Sequence, residues 1–213
     1  MTRTVDTASL EQAIIRNCSP TLAALKPASL FTFPGTFNGQ EGRREREQLK
    51  AALDACRAQL ADYGIRIRLL SWNRCGALIY IYRPVQLEEY QSDPRARRSL
   101  QQAGYQGGLE ERLDRLSARM QQDGIRHRCP CDSASRCERE FPHEMGYFLG
   151  YPYEDVAEFI RQRGKNYLAV GLWKVYSDEE QAQRMFAQFK RCSRAMMRAY
   201  QRHGRLEGLA ACA

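Results

Sequence analysis

The sequence predicts an α+β fold: one domain with a small, mainly antiparallel sheet flanked by helices and a long C-terminal helix. Three observations carry this expectation. Ile65, Ile67 and Leu69 alternate with Arg66 and Arg68, the period-two pattern of a half-buried strand. The run Ala77 to Tyr82 is apolar on both faces, as a central strand requires, and a turn-rich stretch from Ser71 to Gly76 joins the two as a hairpin. Elsewhere apolar residues recur at three- and four-residue steps, so helices and strands are interspersed without a regular βαβ repeat.

In chain order, Leu10, Ile14 and Ile15 share one face of a helix over residues 8 to 16. Asn17-Cys18-Ser19-Pro20 is expected to break it and start a new turn, with Ser19 as N-cap and Pro20 at the first helical position. Ala28 to Phe33 reads as a strand closed by Pro34-Gly35. From Glu41 to Tyr63, Leu49, Leu53, Cys56 and Leu60 mark a helix, and Gly64 suits its C-terminal cap. Residues 85 to 122 are helical in pieces, broken at Asp93-Pro94 and at Gly104 to Gly108. A cysteine-bearing loop over residues 123 to 138 divides the domain into two halves. Two short helices, Pro142 to Leu149 and Pro152 to Arg163, follow it, each opened by Pro. Tyr167 to Tyr176 reads as one more strand, and the last helix begins near Asp178.

The 213 residues are 43% apolar, enough for a core, and contain no apolar run long enough to insert in a membrane. The N-terminal stretch lacks a signal-peptide pattern, so a cytoplasmic location is expected. A formal charge of +8 favours acidic partners, but 28 of the 33 basic residues are Arg, a skew that GC-rich coding also produces. Clustering is therefore more informative than the total. No phosphate-cradling Gly-rich loop, Gly-x-Ser-x-Gly elbow, dinucleotide fingerprint or RNA-recognition aromatic motif is present, which disfavours most familiar enzyme classes.

Three segments share a further property. Cys18-Ser19-Pro20-Thr21-Leu22-Ala23 with Lys26-Pro27-Ala28, Phe141 to Pro152 with Glu154-Asp155-Val156, and Gly171-Leu172-Trp173-Lys174-Val175-Tyr176 together resemble a bacterial family, domain of unknown function 3793. The likeness spans nearly the whole chain in the same order. It implies one intracellular domain and no particular activity, and Cys129-Pro130-Cys131 lies outside its motifs.

The residues themselves suggest three kinds of chemistry. His127, Cys129, Cys131, Cys137 and His143 crowd within 17 residues. Thiolates and imidazoles are what zinc or an iron–sulfur cluster requires, although Cys-x-Cys is not the usual paired Cys-x-x-Cys and a loop of reduced thiols would look the same. Cys18 before a Ser-Pro helix start would have its thiol pKa lowered, and His143 with Glu144 at a second helix start could form an acid–base pair. Against these stand a small buried core residue and ordinary helix capping. In the last helix Arg184, Arg191, Arg194, Arg198, Arg202 and Arg205 fall within an arc of about 80°, with no acid between Arg184 and Leu206. Such a row could follow phosphates or dock an acidic protein, or it is simply a solvated face.

Function is therefore expected among three readings. The first is an accessory protein binding a metal (zinc or iron) or a redox-linked ligand through the region 127 to 143. The second is a basic module contacting nucleic acid or an acidic protein through the last helix. The third is a thiol or acid–base enzyme using Cys18 or His143.

Overall fold

A computed structural model describes residues 5–37, 39–73, 76–122, 142–204, 206 and 209. Its centre is a three-stranded antiparallel sheet in the order β1-β3-β2, formed by β1 (Ala28–Pro34), β2 (Arg66–Asn73) and β3 (Gly76–Tyr82). The continuously apolar β3 lies in the middle, buried on both faces, as its composition predicts. Ala77, Ile79 and Ile81 face one core, while Leu78, Tyr80 and Tyr82 face another. β2 and β3 continue pairing as far as Asn73 and Gly76, so the hairpin connection is shorter than its turn-rich sequence suggests. A register shift between Leu69 and Ser71 turns Leu70 toward the second core.

The first core lies under α1 (Thr7–Leu22), α2 (Gly39–Ala61) and α8 (Glu179–His203). Asp6 caps α1 by accepting from the Ser9 backbone N–H at 2.8 Å, and the Ser9 hydroxyl accepts from the Asp6 N–H in return. The helix does not break at Ser19-Pro20. It continues through Pro20 to Leu22, which corrects the expected restart. Pro20 sits in the final turn, where the backbone ladder is ending anyway, and the Ser19 hydroxyl donates back to the Ile15 carbonyl. The Arg83 side chain then donates to the carbonyls of Thr21, Leu22 and Tyr63, closing the ends of both α1 and α2. On the far side, the Tyr200 hydroxyl donates to buried Glu11 at 2.9 Å and ties α8 to α1.

The second core is covered by α3 (Pro84–Gln91), α4 (Pro94–Gln102), α5 (Leu109–Gln122), α6 (Met145–Phe148) and α7 (Tyr153–Arg161). The breaks at Asp93-Pro94 and Gly104 to Gly108 fall where the sequence puts them. Arg68 of β2 pairs with Glu110 and Asp114 of α5 at 2.7 and 2.6 Å. The expected helix Pro142 to Leu149 shrinks to the single turn of α6, because residues 142–144 form a turn ahead of it.

The stretch Tyr167 to Tyr176 is not a strand of the main sheet. It folds on itself as a two-stranded hairpin, β4 (Ala169–Val170) and β5 (Lys174–Val175), turning at Gly171-Leu172-Trp173. Gly171 donates its N–H to the Trp173 carbonyl at 3.0 Å to close that turn. A third, smaller core of Trp173, Val175, Ala182 and Phe189 seats this hairpin on the first half of α8. No helix among the described residues is long and apolar enough to cross a membrane.

Candidate functional site

The hairpin, α6, α7, the edge strand β1, the C-terminal half of α1 and the middle of α8 enclose a cleft of two adjoining lobes. The first, about 370 Å³, has Met145, Leu149, Val156, Phe159, Leu172 and Trp173 in its walls. The second, about 550 Å³, is lined by Leu30, Leu149, Tyr151 and Leu172 together with Arg16, Lys26 and Lys190. Leu30, Leu149, Tyr151, Gly171 and Leu172 belong to both, so the lobes meet at the Tyr151 ring and the hairpin tip.

Two close backbone approaches shape this meeting point. Gly150 has φ +67°, in the left-handed region, and a Cβ there would lie 2.2 Å from Cγ of Pro27. A Cβ on Gly171 would enter the Phe186 ring at 2.1 Å. Small residues thus let the Tyr151 segment press against Pro27, just ahead of β1, and the hairpin tip press against α8. Aromatic packing follows: Trp173 stacks on Tyr151 with ring centres 4.9 Å apart and meets Phe186 edge-on at 4.5 Å.

Asp155, 2% exposed in the first turn of α7, holds the hairpin in place. Its carboxylate accepts from the Trp173 indole at 2.7 Å, from the N–H groups of Tyr176 and Ser177 at 2.8 and 3.0 Å, and from the Ser177 hydroxyl at 2.9 Å. A buried carboxylate is tolerated only when donors surround it in this way. Asp155 therefore builds the wall of the first lobe, with Oδ1 taking three donors and Oδ2 the Trp173 indole.

Lys26 is different. Its ammonium lies over the Tyr151 ring at 5.2 Å and forms neither a hydrogen bond nor an ion pair with any described residue. Desolvation pulls its pKa down to about 8. The neighbouring Cys18 gives no compensating charge near neutral pH, because burial pushes that thiol up to about 12. This is also the outcome for the expected reactive thiol. Cys18 is fully buried within α1, and without a helix start at Ser19 the effect that would lower its pKa is missing.

His143 is half-buried in the wall of the first lobe, with its ring edge-on to Phe159 at 5.0 Å. Glu144 turns elsewhere, toward Arg119 at 3.7 Å, so the two do not meet a common partner. Of the expected metal ligands only His143 lies within the described residues; His127, Cys129, Cys131 and Cys137 lie outside them. Among the described residues no group of three or more His, Cys, Asp or Glu side chains is placed to hold a metal. Arg184, Arg191, Arg194, Arg198 and Arg202 are all exposed on one side of α8, and Arg205 lies outside the described residues. Arg184 pairs with Glu180 one turn earlier.

Lys26, the stretch Met145 to Tyr151 and the segment Gly171 to Lys174 in the cleft lining fall within the motifs in which the sequence resembles a known family. A family profile described as protein of unknown function (DUF3793) matches residues 14–210. The chain belongs to this family. No curated protein and no solved structure matches the chain. In this DUF3793 protein, Lys26, residues of the stretch from His143 to Tyr151 and the segment Gly171 to Lys174 converge from three distant parts of the chain onto one cleft. Sequence reasoning missed Lys26, Tyr151, Asp155 and Trp173 as a group. Each is unremarkable in its own segment, and the available signal was that all four fall within the resembling motifs.

Proposed function

We propose that this protein is a binding protein for a small, largely apolar molecule held in the cleft beneath the β4–β5 hairpin. The observation that carries the reading is the first lobe itself. Its walls are mostly apolar, with Met145, Leu149, Val156, Phe159 and Trp173, and its two charged side chains are engaged within the protein: Asp155 accepts from four donors, and Lys174 donates to the Gly164 carbonyl at 2.6 Å. Concave apolar sites with a few placed polar groups are the usual form of small-ligand pockets. Val170 and Leu172, 62% and 55% exposed, extend apolar surface from the hairpin to the cleft mouth. The reading keeps a ligand-binding role and bases it on the cleft, with His143 as the residue common to both the cleft and the expected Cys/His region.

Titration with the neutral fluorophore N-phenyl-1-naphthylamine tests it. Saturable binding of about one probe per chain, with quenching of Trp173, is expected. The double substitution Val170→Asp, Leu172→Asp, placed on exposed side chains so that folding is spared, should weaken it at least tenfold. Absence of saturable binding, or binding indifferent to both substitutions, would overturn the proposal.

A second reading rests on α8. Arg191, Arg194, Arg198 and Arg202 form an exposed row without an ion pair to any described residue, which suits a polyanionic partner. It calls for binding to duplex DNA at low salt that falls steeply as salt rises and is weakened by Arg191→Gln, Arg194→Gln and Arg198→Gln together. No binding at low salt would end this reading.

A further inference from the structure

We infer that the cleft is built for an amphipathic anion, with its acid group received by Lys26 in the second lobe and its apolar body in the first. The inference rests on the ligand-binding reading above and names the chemical class of the ligand.

Charge is unevenly distributed between the two lobes. The lining of the second lobe contains three cations, Arg16, Lys26 and Lys190, with Asn17, Ser29 and Ser193, and no carboxylate. Arg16 and Lys190 are exposed, so water screens them and they attract an anion only weakly. Lys26 sits further in. Its ammonium has the Tyr151 ring face as its neighbour and takes no oxygen acceptor among the described residues. A desolvated cation without an acceptor is costly, and an oxyanion arriving from the cleft would supply the acceptor at the place where the cost is greatest.

The adjoining lobe selects the rest of the ligand. Tyr151 and Leu172 are common to the cationic lobe and to the chamber of Met145, Val156, Phe159 and Trp173, whose own cation, Lys174, already donates to the Gly164 carbonyl at 2.6 Å. A molecule whose acid group reaches Lys26 must pass its body over Tyr151 into apolar surroundings. A hydrophilic anion such as free phosphate would satisfy Lys26 and leave the chamber unused. A neutral apolar molecule would fill the chamber and leave Lys26 without an acceptor. Only a ligand carrying both parts satisfies both lobes.

Every charged or titratable group around Lys26 bears on the pH dependence. On α1 these are Arg16 and the Cys18 thiol, on α8 Lys190, and beside the cleft the Tyr151 phenol, which burial raises to about 12. Behind Lys26 a shallow depression is also lined by Glu89 and Tyr90 of α3, and Glu89 forms no ion pair with Lys26. Near neutral pH the thiol and phenols carry no charge, so Lys26 is the group whose protonation changes between pH 7 and 9. The charged form receives the anion. Affinity should therefore be level below pH 8 and fall about tenfold per pH unit above it, with proton uptake on binding.

Isothermal titration with decanoate and decan-1-ol, two probes of equal chain length that differ in charge, tests the inference on the full chain. Wild-type protein should bind decanoate at least tenfold more tightly than decanol at pH 7. Lys26→Met should abolish that preference and the fall above pH 8, leaving decanol affinity within about twofold. Thermal unfolding of the variant establishes that it folds, and Lys50→Met, an exposed control on α2 outside the cleft lining, should keep the preference. Equal affinity for the two probes would overturn the anion assignment and leave the apolar cleft standing. A preference retained in Lys26→Met would overturn the role of Lys26. Saturable binding of neither probe would overturn both the inference and the reading on which it rests.

Discussion

The indole N–H of Trp173 donates to the carboxylate of Asp155 at 2.7 Å, joining the tip of a small hairpin to the first turn of α7. The same carboxylate takes three more donors from Tyr176 and Ser177, so one buried side chain fixes the hairpin that closes the cleft. Asp155→Ala would leave those donors without an acceptor, and it should cost about 2–4 kcal/mol. Asp155→Asn keeps the shape but turns an NH₂ group toward some of the donors, and it should cost less. Denaturant unfolding gives the two values, and Trp173 emission should shift to the red in the Ala variant as the indole gains water.

The approach of Gly150 to Pro27 is measurable against a control. Gly150 and Gly64 share the left-handed conformation, with φ +67° and +68°, but a Cβ at Gly64 meets nothing within 4 Å. Gly64→Ala should therefore cost about 1 kcal/mol, the backbone preference alone. Gly150→Ala adds the clash with Pro27 and should cost at least about 2 kcal/mol, since overpacking contributes ~1–3 kcal/mol of its own. Equal costs would mean that the segments do not touch as described.

Thiol reactivity distinguishes core cysteines from accessible ones. Cys18 and Cys56 are buried, and burial raises both thiols to about 12. Neither should react with iodoacetamide in the native protein at pH 8, and both should react in denaturant. Half-buried Cys192 should be modified first among these three. Rapid native labelling of Cys18, mapped by peptide mass, would restore the idea of an active thiol there.

The half-buried position of Lys26 has a consequence for stability that needs no ligand. Its pKa of about 8 in the fold lies below its ordinary value of 10.5, because desolvation disfavours the charge. The unfolded chain therefore binds more protons between pH 8 and 10.5, and the destabilisation, full below pH 8, is relieved as pH rises through that window. Lys26→Met should be more stable than wild type at pH 7, and the gap should narrow steadily toward pH 10.5. Cys18 and Cys56 act in the opposite direction above pH 9, but they are present in both proteins and largely cancel in the comparison. A gap that does not change with pH would mean that Lys26 is solvated.

Most of the elements follow from local composition. β3 is central because every one of its residues is buried, and its apolar composition states as much. The breaks between α3, α4 and α5 follow from Pro and Gly, and Asp178 caps α8 by accepting from the Gln181 N–H. These are local properties, set by side-chain period and backbone preference within a few residues. The tertiary structure decided what local rules could not. Pro20 marks a helix start by preference, yet packing of Cys18 and Leu22 into the core carries α1 through it. Tyr167 to Tyr176 has strand composition, but Asp155, well before it in the chain, holds Trp173, Tyr176 and Ser177 and folds the stretch back on itself. Lys26 carries no mark in its own segment. Its properties come from desolvation by the Tyr151 segment, and desolvation belongs to a neighbourhood that only folding assembles.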